Sequence, residues 1–213
     1  MNSTKVLLAD DHTIVAQGLQ LLLKDSVTLV GTVRDGRALL EAAARLKPDI
    51  IIADISMPLL NGLDAVRQLK DNGIDAKVII LTMHADPHLA ADAFRAGASA
   101  FVLKDSVGEE LILAIGEILQ GRAYLTPLIA KDMISVLIDA KSEGGGSEAK
   151  LTARQREVLQ LIAEGRTMKE VAGLLNISAR TAETHKYEMM RVLGVRTTAE
   201  LTQCAIRLRL VSI

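Results

Sequence analysis

The sequence predicts two domains of different class: an α/β doubly wound domain followed by a smaller all-α one. Three observations predict this. Short aliphatic runs alternate with amphipathic stretches from residue 6 to residue 119; the run Lys141-Ser-Glu-Gly-Gly-Gly-Ser-Glu148 interrupts the pattern; and no strand-like run follows it. At roughly 150 residues per domain, a chain of 213 residues has room for one to two domains.

Val6–Ala9, Leu29–Val33, Ile50–Ala53, Val78–Leu81 and Ala100–Leu103 are short and aliphatic, the mark of parallel strands buried on both faces. Between and after them, His12–Lys24, Arg37–Leu46, Gly62–Lys70, His88–Ala96 and Val107–Leu119 carry helical apolar spacing. Ser106 with Glu109 has the spacing of a capping box for the last of these. Five such βα units describe a doubly wound sheet. Pro127–Ile138 reads as a linker helix, and the glycine-rich run as a flexible tether. Downstream, Thr152/Gln155, Thr167/Glu170 and Thr197/Glu200 have capping-box spacing, and Ser178 is a good N-cap, so four helices are expected. The expected division is 1–122, a connection over 123–149, and 150–213.

Composition narrows the function classes. Cys204 is the single cysteine, which excludes an internal disulfide and a cysteine-rich zinc site and suits a reducing compartment. Asp10 and Asp11 break the first apolar run, and no stretch is long enough to span a membrane, so a cytoplasmic protein is expected. The net charge of −1 divides unevenly, with −5 over residues 1–147 and +4 over 148–213. An acidic front and a basic back suit a chain whose back end meets a polyanion.

Ligands of a doubly wound sheet bind beyond the carboxyl ends of its strands. There the sequence places Asp10-Asp11, Asp54, Thr82, Phe101 and Lys104. Three crowded carboxylates are tolerable around a hard divalent cation, and Mg²⁺ needs only one or two direct carboxylates and a nearby carbonyl. A carboxylate beside Mg²⁺ can act as nucleophile toward phosphorus, with an ammonium such as Lys104 neutralising charge on the transferred oxygens. Taken singly, the aspartates could instead cap a helix or a turn and Lys104 could be a solvated charge.

The combination of Asp10-Asp11, Asp54-Ile-Ser-Met-Pro-Leu-Leu-Asn-Gly62, Leu81-Thr82 and Gly97-Ala-Ser-Ala-Phe101-Val-Leu-Lys104 resembles the receiver domain of bacterial two-component response regulators, which has a flavodoxin-like fold. The resemblance implies that Asp54 is the phosphoacceptor and that Asp11, Asp54 and the Ser56 carbonyl hold Mg²⁺ with help from Asp10. It further implies that Lys104 pairs with the phosphoryl group. Thr82 would swing its hydroxyl onto a phosphoryl oxygen, and Phe101, where the family often has Tyr, would bury its ring as that happens. His84 is placed to influence phosphoryl lifetime. A phosphoryl group adds about −1.5 to −2 charge and new acceptors, enough to hold a hydroxyl and an ammonium in one of two discrete packings.

In the tail, Lys169-Glu-Val-Ala-Gly-Leu-Leu-Asn-Ile-Ser178 followed by a helix over Ala179–Leu193 has helix-turn-helix grammar: Asn176 tolerates the left-handed turn and Ser178 opens the second helix. That helix is expected to bury Ala182, Met189 and Leu193 with Met190 or Val192, and to expose Glu183, Thr184, Lys186, Tyr187 and Arg191. The set Leu151-Thr-x-Arg154-x-x-Glu157, Lys169-Glu170-Val-Ala172, Ile177-Ser178-x-x-Thr181-x-x-x-His185 and Leu193-x-Val195 resembles the LuxR-type helix-turn-helix. Joined to a receiver, it gives the NarL/FixJ subfamily. By family position Glu183, Thr184 and Tyr187 read bases, and Lys169, Thr181, Lys186 and Arg191 contact phosphates. Glu183 is unfavourable near phosphates unless it accepts from a cytosine amino group. Ala182, where Val is usual, removes two methyl groups at a cost of about 1 kcal/mol, whereas Gln155 in place of Glu still completes a capping box. His185 reads as packed or capping, and His12, His84 and His88 carry no metal pattern.

The implied protein is a transcription factor, not an enzyme: a sensor histidine kinase phosphorylates Asp54, and the phosphorylated chain dimerises on double-stranded DNA. Two other classes compete. A Mg²⁺-dependent phosphatase on a similar sheet usually has a second acid two residues after its nucleophile, where this chain has Ser56. An adaptor whose tail binds protein would lack salt-dependent DNA binding.

Overall fold

The computed structural model describes residues 4–142 and 151–211, which fall into two compact units, the first holding almost all of 4–142 and the second 151–211. The glycine run read as a tether lies outside the described residues.

In the first unit the elements run β1 (Lys5–Ala9), α1 (Thr13–Leu23), β2 (Thr28–Val33), α2 (Gly36–Leu46), β3 (Ile50–Asp54), α3 (Gly62–Asp71), β4 (Lys77–Thr82), α4 (Pro87–Ala96), β5 (Ala100–Leu103), α5 (Val107–Leu119), β6 (Tyr124–Leu125) and α6 (Pro127–Ser142). The strands form one sheet in the order β2-β1-β3-β4-β5-β6, parallel throughout. This is the doubly wound architecture expected. The chain starts in the middle of the sheet and winds both ways, so β1 and β3 lie side by side and their carboxyl ends open onto one crevice.

Alternation along the strands fills both faces. Val6 and Leu8, Ile50 and Ile52, Ile79 and Leu81, and Ala100 and Val102 join one buried cluster with α1 and α5. The intervening Leu7, Ile51, Ile80 and Phe101 are also fully buried and point the opposite way. That opposite side is where α2, α3 and α4 pack beside one another.

Two features were not expected. Residues 124–125 form a sixth strand, pairing Ala100 with Tyr124 and Phe101 with Leu125. The helix read as Pro127–Ile138 runs on to Ser142 and packs against α4, so both elements belong to the first unit. One local reading is corrected. Ser106 makes no capping bond, because a 3₁₀ turn over Lys104–Ser106 precedes α5 and turns the Ser106 hydroxyl back to donate to the Leu103 carbonyl at 3.3 Å.

The second unit is four helices, α7 (Ala153–Ala163), α8 (Met168–Leu175), α9 (Ala179–Leu193) and α10 (Thr198–Arg207). All three expected capping boxes form, at Thr152/Gln155, Thr167/Glu170 and Thr197/Glu200, and the Ser178 hydroxyl accepts the Thr181 N–H. Val158, Leu161, Val171, Leu175, Ala182, Met189, Leu201 and Ala205 make an aliphatic core. Between α8 and α9, Asn176 is left-handed at φ 52° and returns its N–H to the Ala172 and Gly173 carbonyls. Arg154 ties α7 to this turn: one guanidinium nitrogen donates to the Leu175 carbonyl at 2.7 Å and another meets Glu157 at 3.0 Å.

Candidate functional site

The crevice at the carboxyl ends of β1, β3, β4 and β5 brings together the residues expected there. Asp10 follows β1, Asp54 ends β3, Thr82 ends β4 in register with Leu103, and Lys104 follows β5. Asp10, Asp54 and Thr82 are buried, and Asp11 and Lys104 are half-buried. Lys104 Nζ lies 2.8 Å from Asp10 Oδ2 and 2.9 Å from Asp54 Oδ2. Part of the capping alternative also holds. Asp10 Oδ1 accepts the His12 N–H at 2.8 Å, so one oxygen orders the entry to α1 while the other faces Lys104.

The electrostatics follow from crowding. Burial pushes the Asp54 carboxyl above its ordinary range; Lys104 opposes this, Asp10 adds to it, and the Ser56 N–H donates to the carboxylate. Burial alone would lower the Lys104 ammonium, but Asp10 and Asp54 outweigh it and hold it above the usual lysine range. The cluster also suits a cation. Asp10 Oδ2 meets the Lys104 ammonium at 2.8 Å and Asp11 Oδ1 meets His12 Nδ1 at 2.8 Å, and neither buried oxygen has a further hydrogen-bond partner among the described residues. Ligand atoms of Asp10, Asp11, His12 and Asp54 all lie within 4.8 Å of one another, the only such group among the described residues. Three carboxylates form a hard oxygen donor set.

His12 is the member that sequence reasoning missed. Its Nδ1 lies 2.8 Å from Asp11, 3.4 Å from Asp10 and 3.8 Å from Asp54. The available signal was its place directly after the acid pair, as the first residue of the turn into α1. Gly62 is the second residue whose role needed coordinates. A Cβ there would sit 2.1 Å from the Asp54 carbonyl oxygen, so only glycine lets α3 start against the end of β3. Asn61 caps the same helix by accepting the Asp64 N–H at 3.0 Å.

Thr82 accepts the His84 N–H at 3.1 Å, which leaves its hydroxyl proton available to a new acceptor. Phe101 is fully buried. With no hydroxyl to draw the ring toward water, this apolar side chain suits the interior.

In the second unit the outward face of α9 is polar. Thr181, Glu183, Thr184, Tyr187 and Arg191 are exposed, as is Lys169 on α8, and Lys186 is half-buried, reaching Thr198 Oγ1 at 3.5 Å. Ala182 and Met189 face the core; Met190 and Leu193 are half-buried and Val192 is exposed. Arg180, exposed in the first turn of α9, adds a cation that sequence reasoning did not single out. His185 is half-buried, 4.0 Å from Glu188, and joins no metal-ligand group.

Comparison with known proteins agrees with both units. Residues 6–116 match the response regulator receiver domain, and residues 149–205 match the luxR family of bacterial regulatory proteins. The chain is 33% identical over 204 residues to the transcriptional regulatory protein MctR of Rhizobium johnstonii, covering 95% of this chain and 92% of that one. It is 31% identical over 213 residues to the oxygen regulatory protein NreC of Staphylococcus carnosus, covering 97% and 98%. A solved structure of two RcsB dimers bound to two parallel DNAs matches with a TM-score of 0.60 at 28% identity, covering 95% of this chain and 97% of that one.

Proposed function

This chain belongs to the response regulators that join a receiver domain to a luxR-family regulatory domain, and from that premise we propose that it is a transcription factor whose grip on double-stranded DNA is set by phosphorylation of Asp54. The observation that carries the proposal is the meeting of Asp54 and Lys104 at 2.9 Å, with Thr82 beside them, at the mouth of the sheet. A carboxylate oxygen of Asp54 attacks the phosphorus of a phosphohistidine on a sensor kinase. The new acyl phosphate bond forms as the donor's P–N bond breaks, and the imidazole leaves with a proton.

The protein's own groups are placed for each part of this step. Lys104, held charged by its two carboxylates, stays within reach of the arriving phosphoryl oxygens. The Thr82 hydroxyl, already accepting from His84, donates its free proton to one of them. Asp10, Asp11, Asp54 and the Ser56 carbonyl are the groups that would hold Mg²⁺, which when bound neutralises charge on the phosphoryl group. The chemistry acts on the chain's own aspartate and turns over no substrate of another kind.

The second unit supplies the output. Residues 148–213 carry a net charge of +4, and the exposed face of α9 presents Glu183, Thr184 and Tyr187 to bases and Thr181, Lys186 and Arg191, with Lys169 of α8, to phosphates. We assign 1–122 to the receiver, with β6 and α6 of the following stretch packed onto it before the connection ends at 149, and 150–213 to the DNA-binding domain, working in the cytoplasm. Two copies bind together, as RcsB dimers do on DNA, because one short helix reaches few base pairs and a second copy doubles the contacts.

The test uses radiolabelled acetyl phosphate and a random-sequence duplex retention assay on the full chain. The parent should take up label and retain more duplex after labelling, with retention that falls steeply with salt. Asp54→Asn should do neither. Labelling of Asp54→Asn equal to the parent's, or retention in the parent that ignores labelling, overturns the proposal.

A further inference from the structure

The outward face of α9 says which bases the chain selects. Glu183 is exposed and makes no ion pair or hydrogen bond among the described residues, although Arg180 and Lys186 stand three residues away on either side. In a module of net charge +4, this carboxylate stays uncommitted in the middle of the face that meets DNA. Between two rows of phosphates it weakens binding at every sequence except one that offers it a hydrogen-bond donor. Two bases show an amino group in the major groove. Adenine sets its own N7 acceptor beside that group and would repel the second carboxylate oxygen, whereas cytosine presents a donor alone.

Thr184, the next residue, points to a different group. Its hydroxyl donates to the Arg180 carbonyl at 3.0 Å, so the proton that could read an acceptor is spent inside the helix. What remains for a base is the γ-methyl and the oxygen's lone pairs; the γ-methyl is the group with a single match in the major groove, the thymine methyl.

We propose that each half-site is selected by a cytosine accepted at Glu183 and by a neighbouring thymine whose methyl packs on the methyl of Thr184. The inference rests on the DNA-binding role of α9 and names the sequence class that role recognises.

Selection of duplexes from a random pool by the full-length, acetyl-phosphate-treated chain tests it, run in parallel for the parent, Glu183→Ala and Thr184→Ser. The parent should enrich a half-site with one fixed cytosine and a thymine nearby. Glu183→Ala should lose about tenfold in preference at the cytosine position alone, while binding unselected duplex more tightly because a negative charge has gone. Replacing the thymine by uracil, which removes only the methyl, should weaken parent binding about fourfold and leave Thr184→Ser nearly indifferent. A Glu183→Ala pool that keeps the same cytosine, or a parent half-site with no fixed cytosine, overturns the inference while DNA binding stands. A parent that retains no duplex at low salt removes the DNA-binding reading itself, and the inference falls with it.

Discussion

Replacing Gly62 by alanine tests the link between backbone packing and Asp54, the proposed phosphoacceptor. The added methyl carbon would lie 2.1 Å from the Asp54 carbonyl oxygen and 3.0 Å from both Asp54 C and Ile55 Cα, against the 3.4 Å at which ordinary contact begins. The shortfall at the oxygen is 1.3 Å, and every atom in the way is main chain, so no rotamer change relieves it. The Gly62 N–H also donates to the Ile55 carbonyl at 2.8 Å, which pins the start of α3 to the end of β3. Relief requires moving one against the other by about 1 Å, at a cost of about 2–3 kcal/mol for overpacking. A displacement of that size at a reacting carboxylate slows phosphoryl uptake roughly 100-fold. Gly18 is the internal control: it lies within α1, nothing would come within 4 Å of its Cβ, and alanine there should stabilise the unit by about 0.5–1 kcal/mol. Hydrogen exchange on peptides spanning β3 and α3, with labelling from acetyl phosphate, reads both effects. If Gly62→Ala exchanges and labels like the parent, or Gly18→Ala is as damaging, the close-approach argument is wrong.

Three further outcomes are expected. Tyr124 is pushed up to about 12 by burial and by Glu110, which accepts its hydroxyl at 3.1 Å. Its stabilising effect is therefore present below the ordinary tyrosine range and lost as pH rises toward that value; in Tyr187→Phe, phenolate absorbance should titrate there, and Glu110→Gln should bring the midpoint down. Arg154→Ala removes a charge-assisted bond to the Leu175 carbonyl and should cost the second unit about 2 kcal/mol, seen as a lowered thermal midpoint. The Glu170 and Glu200 carboxyls sit below the ordinary glutamate range because backbone N–H groups, of Thr167 and of Arg196 and Thr197 respectively, donate to them. Their contribution is present above that range and lost as pH falls through the lowered values, so helicity of the second unit should decline on acidification, less so in the Gln variants.

What the sequence made legible is what local rules encode. Five strands and their helices came within a residue or two of their bounds because aliphatic runs and helical spacing are properties of adjacent residues. The tail caps came out for the same reason: a hydroxyl three residues before a Gln or Glu has both partners within one turn. The Ser106/Glu109 pair satisfied the same spacing and failed, because the 3₁₀ turn after β5 claimed the hydroxyl first.

The pocket is different, because its members come from four strand ends and no spacing rule fixes their separation. Which residues gather there followed from topology, since a doubly wound sheet collects its strand ends on one edge. What they do to one another did not. Lys104 bridging Asp10 and Asp54, and His12 lying among the carboxylates, both depend on distances of a few ångströms. The sixth strand was hidden for a related reason. Two residues carry no periodicity, and Tyr124–Leu125 is a strand only because β5 offers its free edge. Thr126 then seals the join: its N–H donates to the Phe101 carbonyl at 3.0 Å, and its hydroxyl accepts the Leu103 N–H at 3.1 Å. Both bonds satisfy backbone groups of the strand that positions Lys104. Such a joint is specified by the neighbouring strand and only weakly by its own residues.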